Sequence, residues 1–339
     1  MRSVILALLA CLSAGQAMAQ TRVELPIRET VLSDGVRRYS VPVEVGGVML
    51  QAALDTGSTG LRLLPGSGAR LSESGRRDSY SFGAGIKVEG VIANAALALG
   101  EIKGQTSLQS IKAVSCVEEM RECAATRTPL SQFGLEGDGL AAQGFPAILG
   151  LNTARVPIGN PLQALGVKRW IVELPRPGDT APGRLILNPS AEDIAGFVIL
   201  PFVARLNWQS AGVHDSVDGC LKTAGAKPLC GPVMLDTGAV NIGLINTGVA
   251  AGFADKPQAT LTLDDTAASA RVAIEMPLGR RDLATRISPR ADALMPRPTI
   301  VAGLAPYFAW DVYYDADHSA IGFRPRPKMA EGPQALAAP

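Results

Sequence analysis

The sequence predicts an all-β protein made of two similar halves. Asp-Thr-Gly occurs twice, at 55–57 and at 236–238, each time after apolar residues. Each copy is followed at a distance by two apolar residues and a glycine, in PAILGLN (146–152) and TIVAGLA (299–305). A tripeptide that recurred by chance would not bring a matching second element with it. The pairing therefore indicates an internal duplication with one aspartate in each half.

Short apolar runs predict strands through most of the chain. They are bounded by Gly, Pro or Asp, and the clearest are 39–54, 88–100, 196–202 and 259–265. Runs of this kind are typical of sandwiches and barrels. Two short segments, 160–166 and 188–196, favour helices, and Asn160 can cap the first of them. The sequence therefore predicts a β-rich fold with few, short helices.

The first 19 residues predict a removable signal peptide. A positive charge at Arg2 precedes an apolar run and the small-residue site Ala17-Met18-Ala19, the order that secretory signals share. The mature chain would begin at Gln20 and act in the periplasm or outside the cell. An alternative is a bacterial lipoprotein signal in which Cys11 carries a lipid anchor. No later apolar run is long enough to span a membrane.

The composition argues against a nucleic-acid partner. The 339 residues carry a net charge of +1 and are 47% hydrophobic, so no charge imbalance would draw DNA or RNA to the surface. Residues 326–339 are rich in Pro and Ala and lack periodicity, which predicts a disordered tail. We expect a monomer that uses neither a metal nor another cofactor.

Four cysteines outside the signal segment predict two disulfides. They form two local pairs in the sequence, Cys116 with Cys123 and Cys220 with Cys230. Disulfides suit the oxidising compartment that the signal peptide indicates, whereas four reduced thiols would suit a cytosolic protein. Neither spacing fits a zinc site, because no CxxC occurs and the chain has only 2 histidines.

The paired motifs resemble those of the pepsin-like aspartic proteases, in which each of two lobes gives one Asp-Thr-Gly and one hydrophobic-hydrophobic-Gly segment to a central cleft. The resemblance covers most of the mature chain. Residues 170–190 look like the strands that close the first lobe, and 307–325 look like the last hairpin. The resemblance implies a bilobal double β-barrel, with an N-terminal lobe at 20–188 and a C-terminal lobe at 189–325. The first motif is also similar to bacterial proteins of unassigned function.

The resemblance assigns the catalytic chemistry to Asp55 and Asp236. Two carboxyl groups about 3 Å apart cannot both ionise freely, so one keeps a proton, and aspartic proteases are the usual example of this effect. The ionised group can activate a water while the protonated one donates to the substrate carbonyl, which is acid–base catalysis without a covalent intermediate. Because coupled groups titrate as a pair, the sequence does not assign acid and base.

Residues beside each aspartate are expected to hold the two loops together. The resemblance implies that Thr56 and Thr237 hydrogen-bond across to the opposite lobe. It also implies that Gly57 and Gly238 let backbone amides approach the carboxylates.

The two copies differ at the position after Asp-Thr-Gly. Ser58 can hydrogen-bond the Asp55 carboxylate, whereas Ala239 in the second copy has no side-chain donor. A hydrogen bond to a charged group contributes roughly 1.5–3 kcal/mol, so its absence should favour the protonated pair and raise its upper pKa by on the order of one unit. We therefore expect an activity optimum less acidic than that of a gastric enzyme.

A hairpin at 79–90 resembles the flap of this family, which folds over the cleft and shields the reaction from water. Phe82-Gly83-Ala84-Gly85 aligns with the family's Tyr-Gly-x-Gly tip, so that Phe82 replaces the tyrosine. Tyr80 lies two residues earlier, on the same face of a strand, and can supply a hydroxyl in its place. Tyr80, Phe82, Gly83 and Gly85 are therefore the expected flap and substrate-binding residues.

These residues support more than one function. The first is an aspartic endopeptidase that binds a peptide or protein substrate between its lobes and hydrolyses it through Asp55 and Asp236. The second is a catalytically inactive homologue that binds a peptide or another ligand in the same cleft, which the altered flap tip favours. A third is a structural envelope protein, whose cleft would be filled by its own side chains.

Overall fold

The computed structural model describes residues 21–154, 156–207, 210–245, 251–265, 269–290 and 298–336. Strands make up most of its regular structure, and the α-helices in these ranges are four or five residues long. The prediction of an all-β chain with few, short helices is confirmed. The predicted signal peptide at 1–19 and Cys11 lie outside the described residues.

The first half of the chain contributes the strands β1 (Val23–Val31), β2 (Arg37–Val45), β3 (Val48–Asp55), β4 (Thr59–Leu63), β5 (Ser72–Ser81), β6 (Ile86–Leu99), β7 (Ile102–Cys116), β8 (Ala147–Leu151), β9 (Arg169–Glu173) and β10 (Gly183–Leu187). The second half contributes β11 (Val198–Pro201), β12 (Val203–Asn207), β13 (Ser210–Lys222), β14 (Leu229–Met234), β15 (Ile242–Ile245), β16 (Gln258–Asp264), β17 (Arg271–Pro277), β18 (Ile287–Arg290), β19 (Thr299–Val301), β20 (Trp310–Asp315), β21 (Ala320–Pro325) and β22 (Gln334–Ala335). The helices are α1 (Pro161–Ala164), α2 (Ala191–Ile194), α3 (Ala251–Ala254) and α4 (Ala305–Ala309). Single 3₁₀ turns follow β7 at Glu118–Met120, Ala124–Thr126 and Leu130–Gln132.

Local sequence explains where several of these elements begin and end. The apolar run at 39–54 becomes two strands because Gly46 and Gly47 have positive φ angles of 57° and 86°, which lets the chain reverse between β2 and β3. α1 begins after Asn160, whose side chain accepts a hydrogen bond from the first turn of the helix. α2 begins after Ser190, which forms a capping box.

The described strands form two sheets. The larger has the order β11-β21-β20-β9-β10-β1-β2-β3-β8-β4-β7-β6-β5. The smaller has the order β18-β15-β19-β14-β13-β16-β17-β22, with β12 paired to β13. Strands β11, β20 and β21 of the second half belong to the larger sheet, where β20 pairs with β9 and Tyr314 stacks on Trp170 with ring centroids 5.4 Å apart. The sheets therefore do not divide at the boundary between residues 188 and 189.

The strand pairing around the two Asp-Thr-Gly segments is the same. β3 leads into the first and pairs in parallel with β8, which pairs antiparallel with β4. β14 leads into the second and pairs in parallel with β19, which pairs antiparallel with β15. β8 and β19 come from the two hydrophobic-hydrophobic-Gly segments. The duplication in the sequence therefore corresponds to a repeated arrangement of strands.

Disulfides join Cys116 to Cys123 and Cys220 to Cys230, the pairs that the sequence indicates. The first ties the end of β7 to the turns that follow it. The second crosslinks β13 and β14, where the two cysteines face each other. Both bonds are consistent with a location outside the cytoplasm. No helix in the described part of the chain is long and apolar enough to cross a membrane.

The tail differs from its prediction. β22 pairs with β17, and Leu336 N donates to Ala273 O at 2.8 Å, so residues up to 336 pack against the smaller sheet. The composition of 326–339 predicts disorder because it lacks periodicity. A strand of two residues needs no periodic pattern when the open edge of a sheet accepts it. Residues 337–339 lie outside the described ranges.

Candidate active site

Reciprocal hydrogen bonds join the two Asp-Thr-Gly loops. Thr56 N donates to Thr237 Oγ1, and Thr237 N donates to Thr56 Oγ1, both at 3.0 Å. Each hydroxyl also donates to the opposite strand, Thr56 Oγ1 to Leu235 O at 3.1 Å and Thr237 Oγ1 to Leu54 O at 2.5 Å. Both threonines are buried. These four bonds fix the loops against each other, which is the role expected of the two threonines.

A chain of buried hydroxyl groups extends this contact on one side. Tyr307 OH lies 2.8 Å from Thr56 Oγ1 and 2.6 Å from Tyr314 OH. Because Thr56 gives its own proton to Leu235 O, Tyr307 donates to Thr56, and Tyr314 donates to Tyr307. Burial raises the pKa of Tyr307 and that of Tyr314, so both stay neutral donors. No motif marks these tyrosines, and sequence reasoning assigned them no role.

The carboxyl groups of Asp55 and Asp236 meet between the two glycines. A Cβ atom placed on Gly57 would overlap the Asp236 carboxyl group, and one placed on Gly238 would lie 2.9 Å from Cγ of Asp55. Real side chains do not come so close, so only glycine fits at these positions. The Cβ atom placed on Gly238 would also lie 3.0 Å from Oδ1 of Asp55 and 3.1 Å from Oδ1 of Asp236, so the two carboxyl groups are neighbours. The structure thus brings the two predicted catalytic residues into one site.

The two carboxyl groups receive different numbers of hydrogen bonds. Oδ1 of Asp55 accepts from the backbone N–H groups of Gly57 and Ser58, both at 2.9 Å. Oδ1 of Asp236 accepts from Gly238 N at 2.8 Å. The next amide, Ala239 N, turns to the main-chain oxygen of Asp236 at 3.2 Å. Two charge-assisted bonds stabilise negative charge better than one, so the arrangement favours the charge on Asp55.

The proton of the pair is therefore favoured on Asp236. Burial, and next the negative charge of Asp55, raise the pKa of Asp236 to about 8, against the opposing effects of the Gly238 N–H and of Arg38. Asp236 as a whole residue keeps some exposure, but its carboxyl group lies directly against Gly57. The sequence left the assignment of acid and base open, whereas the structure distinguishes the two groups.

The Ser58 hydroxyl does not form the expected hydrogen bond to the Asp55 carboxylate. Ser58 Oγ is buried and has no hydrogen-bond partner among the described residues. The backbone N–H of Ser58 bonds Asp55 instead. The difference between the copies therefore comes from the main chain, since Ser58 N reaches the Asp55 carboxyl group and Ala239 N does not reach that of Asp236.

The predicted flap is a hairpin of β5 and β6. Phe82 N donates to Ile86 O at 2.8 Å, and Gly85 takes a positive φ of 82° that suits a glycine in the turn. The rings of Tyr80 and Phe82 pack edge to face, with centroids 5.0 Å apart. At the tip, Arg290 of the smaller sheet donates to Gly83 O at 2.6 Å. The hairpin is thus tied to the half of the chain that carries Asp236.

A buried ion pair lies beside the two aspartates. Arg38 donates to Gly238 O in the second loop, and its Nη1 is 3.7 Å from Glu136 Oε2. Both carboxyl oxygens of Glu136 are buried without a hydrogen bond among the described residues. Burial raises the pKa of Glu136, Arg38 opposes the rise, and the charges of Asp55 and Asp236 add to it. The site therefore contains a third carboxyl group, which sequence reasoning missed because Glu136 lies in an irregular segment with no motif.

Asn152 supports the first loop from behind. Its Nδ2 donates to Asp215 Oδ2 at 2.9 Å and to Gly57 O at 3.3 Å. Asp215 is on β13 and is buried, so this contact again joins the two halves of the chain. Asn152 is the last residue of the first hydrophobic-hydrophobic-Gly segment, PAILGLN, and that position is the one signal by which it could have been found.

No protein-family profile matches the chain, and no curated protein matches it significantly in sequence. The described residues contain no cluster of His, Cys, Asp or Glu that could hold a metal ion. The functional assignment therefore depends on the motifs and on the geometry of the site.

Proposed function

We propose that the protein is a pepsin-like aspartic endopeptidase that acts outside the cytoplasm. The observation that carries the proposal is the pairing of two Asp-Thr-Gly loops by reciprocal threonine bonds, with two neighbouring carboxyl groups between them. A pair of acids in which one group is charged and the other protonated can give and take protons in one reaction.

In the proposed reaction, Asp55 is the base and Asp236 the acid. Asp55 takes a proton from a water as the water oxygen bonds to the peptide carbonyl carbon, and Asp236 gives its proton to the carbonyl oxygen. The diol then collapses. Its nitrogen takes the proton from Asp55 as the C–N bond breaks, and one diol hydroxyl returns a proton to Asp236, which restores the starting state.

The proposal includes the bilobal architecture of that family. Lobes at 20–188 and 189–325 would each form a barrel and would bind an extended peptide in the cleft between them. The repeated strand pairing and the contacts between the loops support this division. The hairpin of β5 and β6 would act as the flap, with Tyr80, Phe82, Gly83 and Gly85 facing the substrate.

A protein of the same fold without catalytic activity is the second candidate, either one that binds a ligand in the cleft or a structural envelope protein whose cleft is filled by its own side chains. The observation that favours it is that the chain's own side chains crowd the site. Arg38 donates a hydrogen bond to the Gly238 carbonyl oxygen, and Glu136 lies beside the two aspartates. Arg290 donates a hydrogen bond to Gly83 O at the tip of the hairpin. A peptide would have to displace these contacts before Asp55 and Asp236 could act on it.

Digestion of a peptide mixture tests the proposal. The protein beginning at Gln20 and its Asp55→Asn variant would be incubated with a diverse mixture between about pH 3 and pH 7, a range that includes the usual pKa of aspartate. We expect mass spectrometry to find cleavages made by the wild type and absent with the variant. No cleavage by folded wild type with intact disulfides would contradict the proposal and favour the binding protein.

A further inference from the structure

Arg62 is a buried cation attached to the first Asp-Thr-Gly loop. It lies on β4, directly after that loop, and is 2% exposed. Its Nη1 donates to Thr59 O at 2.6 Å and approaches Gly60 O at 3.4 Å, while Nε is buried without a partner among the described residues. Backbone oxygens next to the loop therefore hold the guanidinium in place, and a small movement of β4 moves the charge with it.

The same guanidinium lies against the predicted flap. Its Cζ atom is 3.7 Å from the centre of the Tyr80 ring and 5.8 Å from that of Phe82. A cation on an aromatic ring is held more strongly when water is excluded, and Arg62 is almost fully buried. The aromatic pair of the hairpin thus packs on a charge that belongs to the first loop.

This charge also acts on the site. No ion pair neutralises Arg62 among the described residues, and the acidic groups that act on it are Asp55 and Asp78, besides the Tyr80 hydroxyl. Burial lowers the pKa of Arg62, and these three groups oppose the effect. Arginine remains charged even when buried. Arg62 therefore supplies positive potential to Asp55 from the strand that follows the first loop.

We propose that Arg62 is a positioning residue that couples closure of the hairpin to the charge on Asp55, an inference that rests on the proposed function. When Tyr80 covers the guanidinium, water leaves and the attraction between Arg62 and Asp55 grows, because it acts through a less polar medium. The negative charge is then held on Asp55 and the proton on Asp236. When the hairpin opens, water screens Arg62 and this preference weakens.

Hydrogen exchange tests the contact with the hairpin. Exchange of the amides at 79–90 would be measured by mass spectrometry in Arg62→Met, Tyr80→Leu and Arg77→Met. Arg77 is an exposed arginine on the same hairpin, so it is the matched control. We expect exchange at least about tenfold faster in Arg62→Met and Tyr80→Leu than in the control. Equal exchange in all three variants would overturn the proposal.

Titration of the carboxyl groups tests the effect of Arg62 on Asp55 and Asp236. In protein labelled with ¹³C at aspartate Cγ, Arg62→Met should move the titration of the aspartate pair to higher pH than in the wild type, since a nearby positive charge is lost. Arg62→Lys keeps that charge but loosens the hairpin, so its titration should fall between those of Arg62→Met and the wild type. Identical titration curves in Arg62→Met and the wild type would overturn the coupling. Because neither measurement uses catalysis, both outcomes are distinct from a failure to cleave peptides.

Discussion

The two Asp-Thr-Gly loops have the same frame and different charge environments. Both follow a strand that pairs in parallel with a hydrophobic-hydrophobic-Gly strand, and both exchange threonine bonds with the other loop. The first loop gives Asp55 two backbone donors, and the second gives Asp236 one. Duplication thus explains the geometry of the pair, while the departures from it explain which carboxyl group holds the proton.

The two loops also differ in the arginine that lies near each of them. Arg62 lies on the strand that follows the first loop, and its positive charge favours negative charge on Asp55. Arg38 contacts the second loop and lowers the pKa of Asp236, but less than burial and Asp55 raise it. Both cations are in the first half of the chain, and neither has a counterpart in the second copy of the motif. The first half therefore supplies the arginine charges that act on both aspartates.

Replacing either aspartate has the largest expected effect. Asp55→Asn and Asp236→Asn each remove one group that transfers protons, so peptide hydrolysis should fall by at least about a thousandfold in both. The variants should differ in stability at about pH 8, since the amide of Asp236→Asn resembles the protonated acid, whereas Asp55→Asn loses a charged acceptor for two N–H groups. Rates and thermal unfolding curves measure the two effects. More than about a tenth of wild-type activity in either variant would contradict the shared role.

Removing the threonine hydroxyls has the next largest expected effect. Thr237→Val leaves the buried Thr56 N–H without its acceptor, which should lower the free energy of unfolding by about 1–3 kcal/mol. Thr56→Val should cost more, because the Tyr307 hydroxyl loses its acceptor as well. Urea unfolding of both variants measures the difference. Equal losses would indicate that the tyrosine chain adds nothing to the first loop.

The pH dependence of stability tests the raised pKa of Asp236, the feature that distinguishes the second loop from the first. The folded protein binds the Asp236 proton more tightly than the unfolded chain, in which aspartate titrates near pH 3.9. Stability from this proton is complete below about pH 4 and is lost as the pH rises through about 8, by at most about 1.4 kcal/mol per pH unit. The stability of the wild type minus that of Asp236→Asn should therefore decline across this window. A difference independent of pH would contradict the raised pKa.

The smallest effect is expected at the position that differs between the copies. The Ser58 hydroxyl is buried without a partner, so Ser58→Ala should change the free energy of unfolding by less than about 0.5 kcal/mol and leave the titration of Asp236 unchanged. Ala239→Ser is the matched change in the other loop. A shift of a whole pKa unit in Ser58→Ala would mean that the hydroxyl, and not the backbone N–H, distinguishes the loops.

The sequence predicts those parts of the site that repeat. Two copies of a motif with a matched second element can be recognised without a structure, and so can cysteines that lie close together in the chain. Asp55, Asp236 and the threonines can be predicted for that reason, and so can the pairs Cys116 with Cys123 and Cys220 with Cys230.

Single residues that act through tertiary contacts could not be predicted. Arg62 reads as an ordinary strand residue, and its burial against Tyr80 depends on how β4 and β5 fold together. Glu136 and Arg38 are 98 positions apart, and no local pattern joins them. The Ser58 hydroxyl was expected to bond the carboxylate because the residue type can do so, but the direction of a side chain is set by packing. Strands β20 and β21 join the larger sheet because β20 pairs with β9, a contact between distant parts of the chain that no local pattern indicates.

Titration of the two aspartate carboxyl groups tests the central claim most directly. With ¹³C at Cγ, and with Asp55→Asn and Asp236→Asn used to assign the signals, the Asp236 signal of the wild type should titrate with a midpoint of about 8. In Asp55→Asn the midpoint should fall, because a neighbouring negative charge is gone. An Asp236 signal that titrates near the usual aspartate pKa, and does not respond to Asp55→Asn, would contradict a pair that shares one proton.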